Sequence, residues 1–292
     1  NCKFEDKIDK FIGLEISRDR AAKTITLTQK NYIQKLFERH LDKDEKWWKY
    51  QTPCGTMKEE TKKFMNIKPT ENEAERVLNA KRGYLSIIGG LMYAMVYTRP
   101  DIAFHISRLA SCMQSPSNAA FQAAVDVLKY LRNTYTLGIT FGQVRDDGDG
   151  YDGTWVRGWS DGSFNGRGEH SPYGGGYVEW NYGPLNWTAR MLKFKPLSVA
   201  EQEIAAMVII MKDVMFVYSI LEDMGVTPSK ICEILTDSQA GRDIVVNPGV
   251  TKHTVHFERW LYYARELYLK KKAAIALVPT EKMRADDKTK VV

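Results

Sequence analysis

The 292-residue chain has no uninterrupted apolar run near the ~20 residues that span a bilayer. Its longest candidate, Ala205 to Leu221, is broken by Lys212 and Asp213. Cysteine is scarce: Cys2, Cys54, Cys112 and Cys232 lie far apart and form no Cys-x-x-Cys pair. That spacing points to reduced intracellular thiols and away from a zinc site. No secretory or transit signal opens the chain, and its first residue is Asn rather than Met, so it reads as an excerpt of something longer.

What is present describes a globular protein. An apolar fraction of 43% and an aromatic fraction of 11% supply a core and exclude a disordered tail. The length suits two domains, or one domain with an extension. A net charge of +6 suits an anionic partner, although solubility alone accounts for such a balance as well.

Phe11 to Ile16 and Thr24 to Leu27 are two β-rich runs around a charged turn and predict a hairpin. Thr28 is placed to cap a following helix whose apolar face is Tyr32, Ile33, Leu36 and Phe37. Residues 41–82 read as an irregular connector. A helical block follows, with Leu85, Ile88, Met92, Met95 and Val96 on one face and Gly89-Gly90 inviting close packing. Thr98-Arg99-Pro100-Asp101 breaks it, because proline fits only the first turn of the next helix. Ile102 to Met113 and Ala119 to Leu131 predict two more helices. The Gly/Asp stretch 146–154 reads as a linker; it lacks the twelfth-position glutamate of a calcium loop.

Beyond the linker, residues 155–292 alternate. Strands are predicted at Trp155 to Phe164, Gly175 to Trp180 and Leu185 to Ala189, then a long helix from Ser198 to about Met224. A strand (Ile231 to Thr236), a short helix (Gln239 to Val246), a charged helix (Thr254 to Lys271), a strand (Ala274 to Val278) and the start of a terminal helix complete the order. Three meandering strands followed by alternating helix and strand make an α/β fold, a mixed five-stranded sheet flanked by helices.

Four acids fall at element ends in this half. Asp161 and Asp237 close strand-like runs, whereas Glu203 and Asp286 open helical ones. Each alone has an ordinary explanation: turn chemistry for Asp161, the helix dipole for Glu203, a cap for Asp237, plain surface for Asp286. Together, at one sheet edge, they form a set able to hold two Mg²⁺ ions roughly 3.5–4 Å apart, a standard device for cutting phosphodiesters.

The chain also resembles the C-terminal part of copia-type retrotransposon reverse transcriptases, ending in a ribonuclease H domain. The resemblance covers nearly its whole length. It is carried by Phe11-Ile12-Gly13-Leu14-Glu15-Ile16 with Leu27-Thr28-Gln29-Lys30-Asn31-Tyr32-Ile33, and by Ile88-Gly89-Gly90-Leu91-Met92-Tyr93 with Thr98-Arg99-Pro100-Asp101-Ile102. Leu128-Lys129-Tyr130-Leu131-Arg132-Asn133-Thr134 with Leu137-Gly138-Ile139 continues it. The resemblance implies a primer-grip-like hairpin and helix over 1–40, a mainly helical thumb and connection over 41–145, and a ribonuclease H-like domain over 155–292.

By the same resemblance Asp161, Glu203, Asp237 and Asp286 are the catalytic and metal-binding acids. Asp161 bridges two Mg²⁺ ions, with Mn²⁺ as substitute. Glu201 is the rival for the second position; Glu203 is preferred for standing before Ala205-Ala206. The implied substrate is the RNA strand of an RNA–DNA hybrid, recognised through 2′-hydroxyls. Arg259, Arg265, Lys270, Lys271 and Lys272 are candidates to track its phosphates, although Glu258 and Glu266 are interleaved and a solvated charged face explains them equally. His253 is a possible auxiliary group, but a lone His at a helix start is more often surface.

The pattern departs from the family in four places, one of them a Lys-His-Ile-Asp block that survives only as Lys252-His253-Thr254-Val255. Ser163 replaces a second aspartate, Asp287-Lys288 replaces an apolar pair and implies looser packing of the last helix, and no Tyr-x-Asp-Asp motif is present. The polymerase palm is therefore expected upstream, as a partner within the same polyprotein. No membrane association is expected, and the implied location is intracellular, cytoplasmic in a virus-like particle or nuclear. Three readings compete: an active endoribonuclease, an inactive nucleic-acid-binding remnant, and an integrase-like strand transferase. The last is disfavoured because that class lacks the Thr98-Arg99-Pro100-Asp101 block.

Overall fold

The computed structural model describes residues 8–42, 51–145, 148–163, 172–247 and 258–291. The chain forms two compact units, one reaching to Phe141 and one spanning Gly142–Lys290.

In the first unit β1 (Lys10–Phe11), β2 (Leu14–Asp19) and β3 (Thr24–Thr28) build the predicted hairpin. A fourth strand that the sequence reading did not anticipate, β4 (Gly138–Phe141), joins β3 antiparallel and pairs Leu27 with Ile139. Helix α1 (Lys30–His40) follows β3 directly. Thr28 does not cap it. The Glu15 carboxylate on β2 reaches across instead and accepts from the Lys30 and Asn31 amides at 2.7 and 3.1 Å. An acid at a helix N-terminus satisfies free amides and complements the dipole.

Residues 41–82 are not wholly irregular, for α2 (Lys58–Met65) and α3 (Glu73–Lys81) lie within them. Asn72 caps α3 by accepting from the Ala74 and Glu75 amides. Lysine-rich α2 buries only Phe64, so a weak apolar period hid it in the sequence. In α4 (Tyr84–Tyr97) the buried face is Tyr84, Ile87, Ile88, Leu91 and Ala94. Of the predicted face only Ile88 is buried; Leu85, Met92 and Val96 are exposed. The helix is apolar nearly all round, so period alone could not orient it. The Gly89-Gly90 expectation holds at Gly90, where an added Cβ would lie 2.3 Å from Leu36 on α1.

The Thr98-Arg99-Pro100-Asp101 block is a structural clamp. Arg99 is buried and donates to Asp101 at 2.6 and 3.0 Å, and to the Thr134 carbonyl and hydroxyl at 3.0 and 2.7 Å. Tyr130 donates to Asp101 at 2.7 Å. The break after α4 is thus tied to the C-terminal end of α6 (Asn118–Asn133), and α5 (Ala103–Ala110) starts from it.

In the second unit β5 (Arg157–Ser163) is the central strand. It pairs antiparallel with β6 (Tyr173–Trp180), which pairs with β7 (Gly183–Met191), and parallel with β8 (Cys232–Thr236), which pairs with β9 (Ala273–Leu277). The resulting order is β7-β6-β5-β8-β9, the ribonuclease H-like mixed sheet. Helices α7 (Val199–Asp223), α8 (Gln239–Val246) and α9 (Glu258–Leu269) complete the unit. The predicted terminal helix is only a 3₁₀ turn over Asp286–Lys288, in which Lys288 is buried beside Asp287. The Gly/Asp stretch is not a free tether over its described part: Tyr151 is buried, and Asp149 pairs with Arg157 at 2.7 Å.

Among the described residues α7 alone is long and apolar enough, by length and composition, to cross a membrane, despite Lys212 and Asp213. The fold uses it as the core helix, burying Ile204, Met207, Val208, Ile210, Met211 and Val214. Gly225 ends it at φ 72°, with Val226 donating back to Leu221 and Gly225 to Glu222, the left-handed stop that glycine permits.

Because Arg99 is sealed from solvent, Asp101→Ala is expected to cost ~2–4 kcal/mol, the penalty of leaving a buried charge short of its partner. Urea unfolding measures it, and a loss below about 1 kcal/mol would show that the guanidinium does not depend on Asp101.

Candidate metal centre

β5 and β8 run parallel with Trp159 opposite Leu235, so their carboxyl ends open at the same edge of the sheet. Asp161 lies two residues past that pair on β5, and Asp237 directly follows β8. The first turns of α7 stand over the same edge and carry Glu203. One oxygen from each of Asp161, Glu203 and Asp237 lies within 4.8 Å of the others. Asp161 and Glu203 are buried and Asp237 half-buried.

Small residues set this approach. A Cβ at Gly162 would lie 2.8 Å from the Gln202 side chain and 3.2 Å from its main chain, and one at Gly174 only 3.3 Å from Ala206. Gln202, fully buried, donates its amide to the Tyr173 carbonyl and fastens α7 to the start of β6. Glycine beside Asp161 thus lets the helix settle onto the strand and bring Glu203 with it.

Glu201 is separated from Glu203 by its hydrogen bonds. It accepts from the Leu197 amide at 2.6 Å, and its own amide donates to the Ser198 hydroxyl at 3.1 Å. This is capping chemistry, so Glu203 is the residue in the acid group. Ser238 caps α8 by accepting from the Gly241 amide, which leaves Asp237 free of that duty.

Asp286 stands outside the group of three. Its Oδ1 accepts from Lys290 at 2.9 Å, and its charge still acts on Asp161. Sequence reasoning gave no role to Thr289 or Lys290. Thr289 is buried and donates to Asp161 Oδ2, while the Lys290 ammonium lies 3.5 Å from Asp161. The i,i+4 spacing of Asp286 and Lys290 was the available signal.

Crowding of acids shows in their titration. Burial raises Asp161 above the ordinary carboxylate range, against the Thr289 hydroxyl and Lys290. Glu203 is pushed up to about 8, chiefly by burial and then by the charges of Asp161 and Asp237. Its Oε2 is buried without a hydrogen-bond partner among the described residues. An orphaned carboxylate oxygen facing two further acids is an all-oxygen donor set that fits a hard cation such as Mg²⁺.

The predicted nucleic-acid contacts divide. Arg265 donates to the Ile244 and Asn247 carbonyls at 2.7 and 2.9 Å and so closes the C-terminal end of α8. Lys270 pairs with Glu266 at 2.5 Å, while Arg259, Lys271 and Lys272 are exposed. His253 lies outside the described residues.

A sheet in this order, with acids at the ends of its first and fourth strands and on the helix between them, defines a ribonuclease H-like unit. No protein-family model matches the chain. It is similar to the retrovirus-related Pol polyprotein from transposon TNT 1-94 of Nicotiana tabacum, 28% identical over 96% of this chain and 20% of that protein. The secreted RxLR effector protein 161 of Plasmopara viticola is 33% identical over 42% of this chain and 83% of that protein. RNase H1 from Halobacterium salinarum NRC-1 superposes with a TM-score of 0.36, at 19% identity, over 46% of this chain and 93% of that one. Its similarity to retrovirus-related Pol polyproteins of transposons extends over most of the chain, as in that of transposon RE1 of Arabidopsis thaliana, 22% identical over 99% of this chain and 18% of that protein. The chain spans about a fifth of the length of these Pol polyprotein relatives.

Glu203 yields a pH test. Its raised pKa favours the protonated, folded form, so that contribution to stability is complete below the unfolded value of 4.5 and is lost as pH rises towards about 8. In metal-chelated buffer, thermal stability is expected to fall across this window, and Glu203→Gln to flatten part of the fall. An unchanged slope in the variant would contradict the assignment.

Proposed function

We propose that the second unit hydrolyses the RNA strand of RNA–DNA hybrids with the help of divalent cations, as the ribonuclease H part of a retrotransposon reverse transcriptase. The carrying observation is the meeting of Asp161, Glu203 and Asp237 within 4.8 Å, with a Glu203 oxygen left unpaired. Four acids were expected at the site; the proposal gives the holding role to these three and leaves Asp286 at its margin.

Bound Mg²⁺, or Mn²⁺ in its place, supplies Lewis-acid chemistry: a water more easily deprotonated near neutral pH and relief of charge at the scissile phosphate. The chain's own residues prepare that site. Thr289 holds the Asp161 carboxylate in place by donating to Oδ2. Gln202 and Gly162 hold α7 at the distance that keeps Glu203 opposite Asp161. Glu203, with its raised pKa, binds a proton when no cation is present and must release it to act as a ligand.

The substrate class is inferred from the likeness to transposon Pol polyproteins over most of the chain and from the site's donor set. Recognition through 2′-hydroxyls and phosphates, with Arg259, Lys271 and Lys272 as exposed cationic contacts, is part of the proposal. So are a polymerase palm of the same polyprotein as partner and an intracellular setting. One observation favours the rival, a hybrid-binding remnant without hydrolysis: Asp286 is engaged by Lys290 instead of joining the three acids.

A labelled RNA–DNA hybrid decides between them. Mg²⁺-dependent cleavage is expected from the wild type, falling at least about 100-fold in Asp161→Asn, since even groups behind a metal's direct ligands are worth ~10–100-fold. Wild type and variant that are equally inert while still binding hybrid would establish the remnant.

A further inference from the structure

The last residues of the second unit bring a positive charge to the acid group. Lys290 Nζ lies 2.9 Å from Asp286 Oδ1 and 3.5 Å from Asp161. Its neighbour Thr289 is fully buried and bonded to Asp161, which anchors the main chain from which the lysine extends. The Lys290 side chain is 42% exposed, so its ammonium reaches in from solvent and has a path back to it. The Lys290 ammonium therefore rests on the edge shared by Asp161 and Asp286.

A divalent ion held by Asp161 would stand within a few ångströms of that ammonium. Like charges at such separations repel, and both draw on the same carboxylate. We propose that Lys290 is a positioning residue, a tethered counter-cation that neutralises the Asp161–Asp286 edge in the metal-free protein and is displaced to solvent when a divalent ion binds. This rests on the reading of Asp161, Glu203 and Asp237 as a metal site. Lys290 then lowers the apparent affinity for metal while keeping the emptied acid cluster from spreading. A purely structural Lys290–Asp286 bridge predicts the opposite sign, because its loss would loosen the site and weaken metal binding.

Mn²⁺ binding to the full chain, followed by the loss of the free-ion paramagnetic resonance signal, tests this in wild type, Lys290→Gln, Lys290→Arg and Asp161→Asn. Lys290→Gln is expected to bind Mn²⁺ about fivefold more tightly, the scale of a half-exposed ion pair. In chelator it should melt below the wild type, with the gap closing at saturating Mn²⁺, while Lys290→Arg stays close to wild type in both measurements. Wild-type binding that Lys290→Gln leaves unchanged or weakens would overturn the proposal and leave the metal site standing. No uptake by the wild type, or uptake indifferent to Asp161→Asn, would remove the metal site and the proposal with it.

Reductive ¹³C-methylation of the wild-type lysines keeps the question open to test if Lys290→Gln does not fold. The Lys290 methyl resonance, assigned by its absence from Lys290→Arg, should move towards the solvent-exposed position when Mg²⁺ is added. A resonance that stays in place under saturating Mg²⁺ would overturn the displacement.

Discussion

The close seating of α7 on the glycine-bearing faces of β5 and β6 is the constraint on which the rest of the second unit depends. Gly158 admits Ile210 and Val214, Gly162 admits Gln202, and Gly174 admits Ala206. At Gly158 and Gly162 a Cβ would come within 3 Å of a neighbouring atom. Interiors packed to this density do not absorb such an intrusion locally, so the helix would have to lift. The apolar side chains of α7 supply the driving force for the seating. The glycines set its distance, and that distance decides whether Glu203 meets Asp161.

The same seating creates an electrostatic cost. Three carboxylates converge, two of them buried, and both buried acids titrate above their ordinary range. Burial is the leading cause in each case, and mutual repulsion adds to it in Glu203. The Thr289 hydroxyl and the Lys290 ammonium oppose the shift at Asp161. Elsewhere in the unit a buried acid is fully answered: Glu179 receives Arg145, Arg284 and the Trp159 indole. Glu203 has no such company at Oε2. That unpaired oxygen is the feature on which the proposed cation site rests.

Much of this was legible in the sequence. The order of elements from Arg157 to Leu277 followed from alternating strand and helix patterns, and the positions of Asp161, Glu203 and Asp237 at element ends followed from it. The choice of Glu203 over Glu201 rested on a small-residue pair; the structure gives a different reason, that Glu201 is tied to its own helix start. Less legible were features fixed by distant contacts. Strand β4 exists because Gly138 to Phe141 pairs with β3 more than a hundred residues earlier, and no local pattern announces that. The buried face of α4 was misassigned because an almost wholly apolar helix carries little phase information. Arg265 looked like a phosphate contact and turned out to close α8. Whether a cation points to solvent or to a carbonyl is a tertiary fact. Thr289 and Lys290 could not be read as neighbours of Asp161, because that closeness is made only by the folded chain.

Diffraction from a Mn²⁺-soaked crystal of the full chain, read by anomalous scattering, is the most direct test of the claim that α7 seating builds a cation site. The account predicts an anomalous peak at roughly 2.0–2.3 Å from carboxylate oxygens of Asp161, Glu203 and Asp237, the range of hard divalent coordination. Ordered density for all three side chains at saturating Mn²⁺, with no peak among them, would contradict it.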